Sequence, residues 1–266
     1  MAVGVAVVLI VARRNIRHQR WGGSLSVFNP EVNQDNRDPR VACALVLDTS
    51  SSMSGAPIAQ LNAGYETFRQ SIDDDELARK RTEMMVITFA DAAPKITVPW
   101  TEGRHLGPET FASAGVTPLG AALNLALDQV NARKQTYKEA GLEYYQPWIF
   151  VITDGEPTDP QEFQVATARL REAEAKKAVT VFGVGVADAD MATLAKISGK
   201  RDPVKLDGLK FKELFIWLSQ SMSLVANSKD FGSSDKPSGN SDEQIYDAQP
   251  VDEMQELPAP NGWATW

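Results

Sequence analysis

The chain has 266 residues, is 43% hydrophobic and carries a formal net charge of −8. That length and apolar content allow a sizeable core, and the acidic balance argues against a general nucleic-acid binder, which needs basic patches. Cys43 is the single cysteine, so an internal disulfide is excluded and a reducing, cytoplasmic setting is the expectation.

The opening stretch, MAVGVAVVLIVARRNIRHQRWGG, holds an apolar run at 2–12. It is shorter than the about 20 residues a spanning helix needs. Arg13, Arg14, Arg17 and Arg20 follow the run, whereas a secretory signal carries its positive charge in front. Residues 1–39 are therefore read as a poorly ordered extension, with a membrane role disfavoured.

From residue 40 onward, strands and helices alternate. VACALVLD (41–48) reads as a buried strand closed by an acid. Pro57 suits a first helical turn, and Ile58, Leu61, Tyr65, Phe68 and Ile72 then recur at helical spacing. EMMVITFA (83–90) is a second strand, and KITVP (95–99), after a turn at Ala93 and Pro94, reads as a short antiparallel edge. Pro118 opens another helix, with Leu119, Leu123, Leu127 and Val130 on one face and Thr117 placed as its N-cap. PWIFVITD (147–154) is again an apolar strand ending in an acid. Asp159, Pro160 and Glu162 form a helix start in which Asp159 caps its own helix. AVTVFGVGV (178–186) and DPVKL (202–206) are further strands, and Phe211, Leu214, Phe215, Leu218, Met222 and Val225 stripe a last helix.

This pattern predicts one α/β domain over 40–226, built on a mostly parallel sheet with one short antiparallel edge strand and helices on both faces. Residues 227–266 hold most of the net negative charge, −6 of −8, among Ser, Gly, Pro and Asn, and read as a disordered acidic tail.

In such sheets ligands bind beyond the carboxyl ends of the strands. Asp48 and Asp154 both stand at such ends, so their carboxylates meet if their strands are neighbours. Ser50 and Ser52 follow Asp48, and Thr117 precedes the helix at Pro118. The candidate site is thus Asp48, Ser50, Ser52, Thr117 and Asp154. Its ligands are all oxygen, which suits a divalent cation of the hard type, Mg2+ first, with Mn2+ or Ca2+ as alternatives. His18 and His105 are the only histidines and fall in no zinc-ligand pattern. The helix start at Thr117 and Pro118 is expected to add positive potential that favours an incoming anion. Asp91, in TFADAA, reads as a turn residue.

DTSSS, VTPLGAAL and VITDGEPTD, in that order, resemble the von Willebrand factor A domain with its metal-ion-dependent adhesion site. TDGEPTD, FKELFIWLSQSMS and ELPAP are further similar to the bacterial tellurite-resistance vWA proteins of the TerY type. The resemblance implies a Rossmann-like fold and a non-enzymatic interaction module. Its cation would keep a position open for the Asp or Glu of a partner protein, and a protein phosphatase and a protein kinase are the implied partners. One position departs from the motif: Ser51 stands where Gly is usual, and a positive φ there would cost a Ser on the order of 1 kcal/mol.

Two alternatives stay open. One is an accessory subunit of an ATPase machine. The other is a Mg2+-dependent phosphohydrolase with a nucleophilic Asp, against which Ser50 occupies the place of the usual second acid. A Ser-His-Asp hydrolase lacks its base, and no Gly-rich phosphate loop is present.

Overall fold

The computed structural model describes residues 30–91, 93–208, 210–227 and 264–265. The apolar run at 2–12 and most of the acidic tail, with the readings made of them, lie outside these residues. The chain builds β1 (Val41–Asp48), α1 (Ala56–Asp74), α2 (Glu76–Arg81), β2 (Thr82–Ala90) and β3 (Ala93–Glu102). Then follow α3 (Leu119–Ala140), β4 (Trp148–Thr153), α4 (Pro160–Ala175), β5 (Thr180–Gly185), α5 (Met191–Leu194), β6 (Val204–Leu206) and α6 (Phe211–Asn227). A two-residue strand, β7 (Ala264–Thr265), closes the order.

The strands form one sheet in the order β3-β2-β1-β4-β5-β6-β7. β2, β1, β4, β5 and β6 are parallel to one another, and β3 and β7 are antiparallel at the two edges. The mostly parallel α/β sheet is the expected one. The antiparallel edge runs past the expected 95–99 because Pro94 and Pro99 do not end it. A strand paired on one side only can leave a proline nitrogen on its open edge. The second edge partner, β7, falls inside the segment read as structureless.

Side-chain alternation sorts the two faces. In β1, Val41, Cys43, Leu45 and Leu47 pack under α1 and α6, while Ala42, Ala44 and Val46 pack under α3 and α4. The helical stripes read from the sequence supply these layers: Leu61, Tyr65 and Phe68 of α1 meet Phe211, Phe215 and Leu218 of α6 in one core cluster. Each fully buried side chain of this kind contributes about 1.5–3 kcal/mol. Among the described residues no helix is long and apolar enough to cross a membrane.

The order has one consequence for chemistry. β1 sits between β2 and β4, with α1 following β1 on one face and α4 following β4 on the other. The loops after β1 and β4 therefore part, and a crevice opens at their carboxyl ends.

Candidate functional site

Asp48 and Asp154 close neighbouring strands, so the condition set by the sequence is met. Asp48 is fully buried, Ser50 and Thr117 are buried, Asp154 is half-buried and Ser52 is exposed. Both Asp48 oxygens are held by neutral donors. The Ser50 amide donates to Oδ1 at 2.8 Å, and the Thr153 hydroxyl donates to Oδ2 at 2.5 Å. The Gly155 amide in turn donates to Thr153 Oγ1 at 3.2 Å. On the other side, the Ser50 and Ser52 hydroxyls are 2.8 Å apart, and Ser52 Oγ donates to Asp154 Oδ1 at 2.8 Å. A methyl group placed on Gly155 would lie 3.2 Å from Thr117 Oγ1 and 3.8 Å from Asp48 Oδ2. Thr117 thus flanks the same glycine as the buried carboxylate. The structure gathers all the candidate residues, from three separate loops, around one crevice.

Burial pushes the Asp48 carboxyl up; bonds from Thr153 and Ser50 pull it back, and the Asp154 charge adds to the rise. Among the described residues no cationic side chain is one of the groups that act on it. Charge in such a place is costly unless something positive answers it. The residues present, two carboxylates with hydroxyls, fit a hard cation. Among the described residues no three His, Cys, Asp or Glu side chains form a metal-holding group, so a zinc-type centre does not fit.

Three readings change. Ser51 lies in a 3-10 turn, Ser51–Met53, and is not among the residues with positive φ, so the missing motif glycine carries no backbone strain. The positive-φ position of this loop is Gly55, with φ +81, which leads into α1 and its early Pro57. Thr117 does not cap α3 with its side chain, and α3 starts after Pro118. Instead Asp159 reaches across from the next loop: its Oδ1 accepts the Gly120 amide at 3.0 Å and its Oδ2 the Ala121 amide at 2.7 Å. Asp159 makes no side-chain cap on its own helix, α4. A carboxylate can satisfy two orphan amides at once and also answers the positive end of the helix. The positive potential expected at Thr117 and Pro118 is therefore already met by an anion. Asp91 is a turn residue as read, with φ +52 between β2 and β3.

Thr153 is the residue that the sequence reading passed over. The register explains its place: Leu47 pairs with Ile152 in parallel, so a hydroxyl one step on in β4 falls beside the acid one step on in β1. The surface pocket lined by Asn33, Asn36, Lys80 and Arg104 has no part in this site. Asn33 and Asn36 bond to Glu102, at the amino end of β2.

A family profile described as the von Willebrand factor type A domain matches residues 43–211. Solved structures with the same fold include the pilus adhesin SpaC from Lactobacillus rhamnosus GG, with TM-score 0.56 and 14% identity over 73% of this chain and 31% of the adhesin. They include the vWF domain of the type V pili tip protein Mfa5 from Porphyromonas gingivalis, with TM-score 0.51 and 12% identity over 72% of this chain and 97% of that one. The PilB minor pilin from Streptococcus sanguinis gives 0.52 and 10%, over 71% and 62%. At such identities the likeness is one of fold. The chain spans less than half the length of the first solved relatives, 31% and 47%. No curated protein sequence matches it.

Proposed function

The chain belongs to the von Willebrand factor type A domain family, and from that premise we propose that it is a protein-interaction module whose β1–β4 crevice holds a divalent cation. Asp48, Ser50, Ser52, Thr117 and Asp154 would hold the ion, with Mg2+ the first choice and Mn2+ or Ca2+ the alternatives. The bound cation supplies an electrophilic position for the carboxylate of a partner protein. The observation that carries this reading is Asp48: a buried carboxylate met by a hydroxyl and an amide, with no cation acting on it. Asp48 gives the site its anchor charge. Asp154, at the half-exposed end of the hydroxyl relay, gives the second charge where a partner has access.

The same geometry bears on the partner. The Gly120 and Ala121 amides in the first turn of α3 are taken by Asp159, so an acidic partner would be drawn by the cation and not by the helix end. The likeness to the TerY type points to a protein phosphatase and a protein kinase as partners in a bacterial stress or tellurite-resistance setting. No catalytic step is assigned. Ser50 stands where a phosphohydrolase would carry its acid, and its hydroxyl is engaged with Ser52.

The test is a calorimetric titration of the chelator-treated full chain with Mg2+ and Mn2+, beside a thermal melt. Binding should stabilise the fold by about 2.7 kcal/mol at a hundredfold excess over Kd. Asp48→Asn should abolish both the heat and the stabilisation. Identical titrations of wild type and variant would refute the cation reading.

A further inference from the structure

The crevice is assembled from three loops, and those carrying Thr117 and Asp154 are tied together through the helix starts that follow them. The Thr117 carbonyl accepts the Leu119 amide at 2.8 Å and the Thr158 amide at 2.9 Å. The Asp159 side chain then takes the Gly120 and Ala121 amides, while its own carbonyl accepts the Phe163 amide at 2.9 Å in the first turn of α4. Gly120 lets the two helix starts close on each other. A Cβ there would sit 2.1 Å from the Phe163 nitrogen, a distance no side chain can occupy. The first turn of α3 and the first turn of α4 thus form one hydrogen-bonded block. Thr117 sits immediately before this block on one strand of chain, and Asp154 leads into it on the other.

By contrast, the loop of Asp48, Ser50 and Ser52 joins this block through hydroxyls. Its backbone bonds go to the end of β2 and to the residues just ahead of Thr117: the Thr49 amide to the Phe89 carbonyl at 3.0 Å, the Ser51 amide to the Gly115 carbonyl at 3.1 Å, and the Ala114 amide to the Thr49 carbonyl at 2.8 Å.

We propose that Asp159 is a positioning residue that yokes the loop carrying Asp154 to the loop carrying Thr117, so that the two present their oxygens to the crevice as one unit. This rests on the reading of the crevice as a cation site. Thr117 has a neutral hydroxyl and would be a weak ligand on a free loop. Held on one side by the Ala114 and Gly115 bonds and on the other by the yoke, it needs no ordering when the ion binds. Residues that orient ligands in this way commonly change metal affinity by about 10–100-fold when removed.

The experiment is a Mn2+ titration by calorimetry of the full chain in four forms: wild type, Asp159→Ala, Asp159→Asn and Glu174→Gln. Glu174 is a destabilising control away from the crevice: it is buried between α4 and β5 and accepts the Val181 and Gly199 amides at 3.1 and 2.6 Å. Amide exchange of residues 116–121 is followed in the metal-free proteins. Asp159→Ala should weaken Mn2+ by about 10–100-fold and speed exchange over 116–121. Asp159→Asn, which keeps one accepting oxygen, should fall between it and wild type. Glu174→Gln should melt earlier and yet bind as wild type does. If Asp159→Ala does not fold, the isosteric Asn variant decides. A folded Asp159 variant with wild-type affinity overturns the yoke and leaves the cation reading standing, as does an equal loss in Glu174→Gln. If the wild-type chain takes no Mn2+, the cation reading falls and the yoke, having nothing to position, falls with it.

Discussion

Two carboxylates are buried at opposite ends of the same sheet, and their surroundings differ in one respect. Glu83, near the amino end of β2, accepts Arg133 Nε at 2.7 Å and the Tyr137 hydroxyl, with Arg40 Nε at 3.6 Å. The two guanidinium groups continue outward to backbone carbonyls: Arg40 to Asn33 at 2.9 Å and Asn36 at 2.6 Å, Arg133 to Pro30 at 2.6 Å. That end is closed electrostatically, and its charges fasten the segment before β1 to the sheet. Asp48, at the carboxyl end of β1, has donors of similar number but, among the described residues, no positive charge. The acid at the amino end finds its counter-charge within the chain; on the proposed cation reading, the acid at the carboxyl end would take its own from outside.

The comparison can be broken at either end. The largest effect is expected at Glu83. Glu83→Gln keeps the shape but leaves Arg40 and Arg133 buried without their counter-ion, and breaking buried pairs of this kind costs about 3–5 kcal/mol. Urea unfolding measures it. A loss below 1 kcal/mol would mean that the amino-end cluster is not closed by charge after all.

Next comes the hydroxyl that stands in for a cation. Thr153→Val preserves volume and removes the donor to Asp48 Oδ2. Hydrogen bonds to charged groups contribute about 1.5–3 kcal/mol, so the metal-free chain should lose that much at neutral pH. Thr97→Val is the control, since among the described residues its hydroxyl meets that of Thr88, at 2.7 Å, and no carboxylate. Equal losses in the two variants would deny Thr153 any special part.

The smallest effect has the most informative sign. Burial raises the Asp48 carboxyl, so folding favours its protonated form. The stability it contributes is full below the ordinary carboxylate range and disappears as pH rises through the raised folded value. Metal-free wild type should therefore lose stability against Asp48→Asn across that window, and a saturating divalent cation should reverse the difference at neutral pH. Parallel pH–stability curves for the two proteins, with and without cation, would remove the contrast between Asp48 and Glu83.

Much of the fold was legible in the sequence because burial leaves a local trace. Unbroken apolar runs marked β1, β4 and β5, and striped spacing marked α1, α3 and α6. β3 was read short because Pro94 and Pro99 look like boundaries, and only its place at the sheet's edge makes them harmless. The single-turn α5 and short α2 carry too little periodicity to announce themselves.

At the crevice the division is sharper. The sequence by itself determined which groups arrive: an acid at the end of one strand, hydroxyls at steps of two after it, a threonine before a helix and a second acid at a later strand end. These are properties of neighbouring residues, set by strand and helix periods. Only the tertiary structure decided that β1 lies beside β4, that Thr153 supports Asp48, that Ser51 needs no glycine, and that Asp159 caps α3 instead of α4. Each of these depends on which strands and loops meet across long stretches of chain. A donor or acceptor takes the partner that packing brings within about 3 Å, and sequence spacing carries no record of that choice.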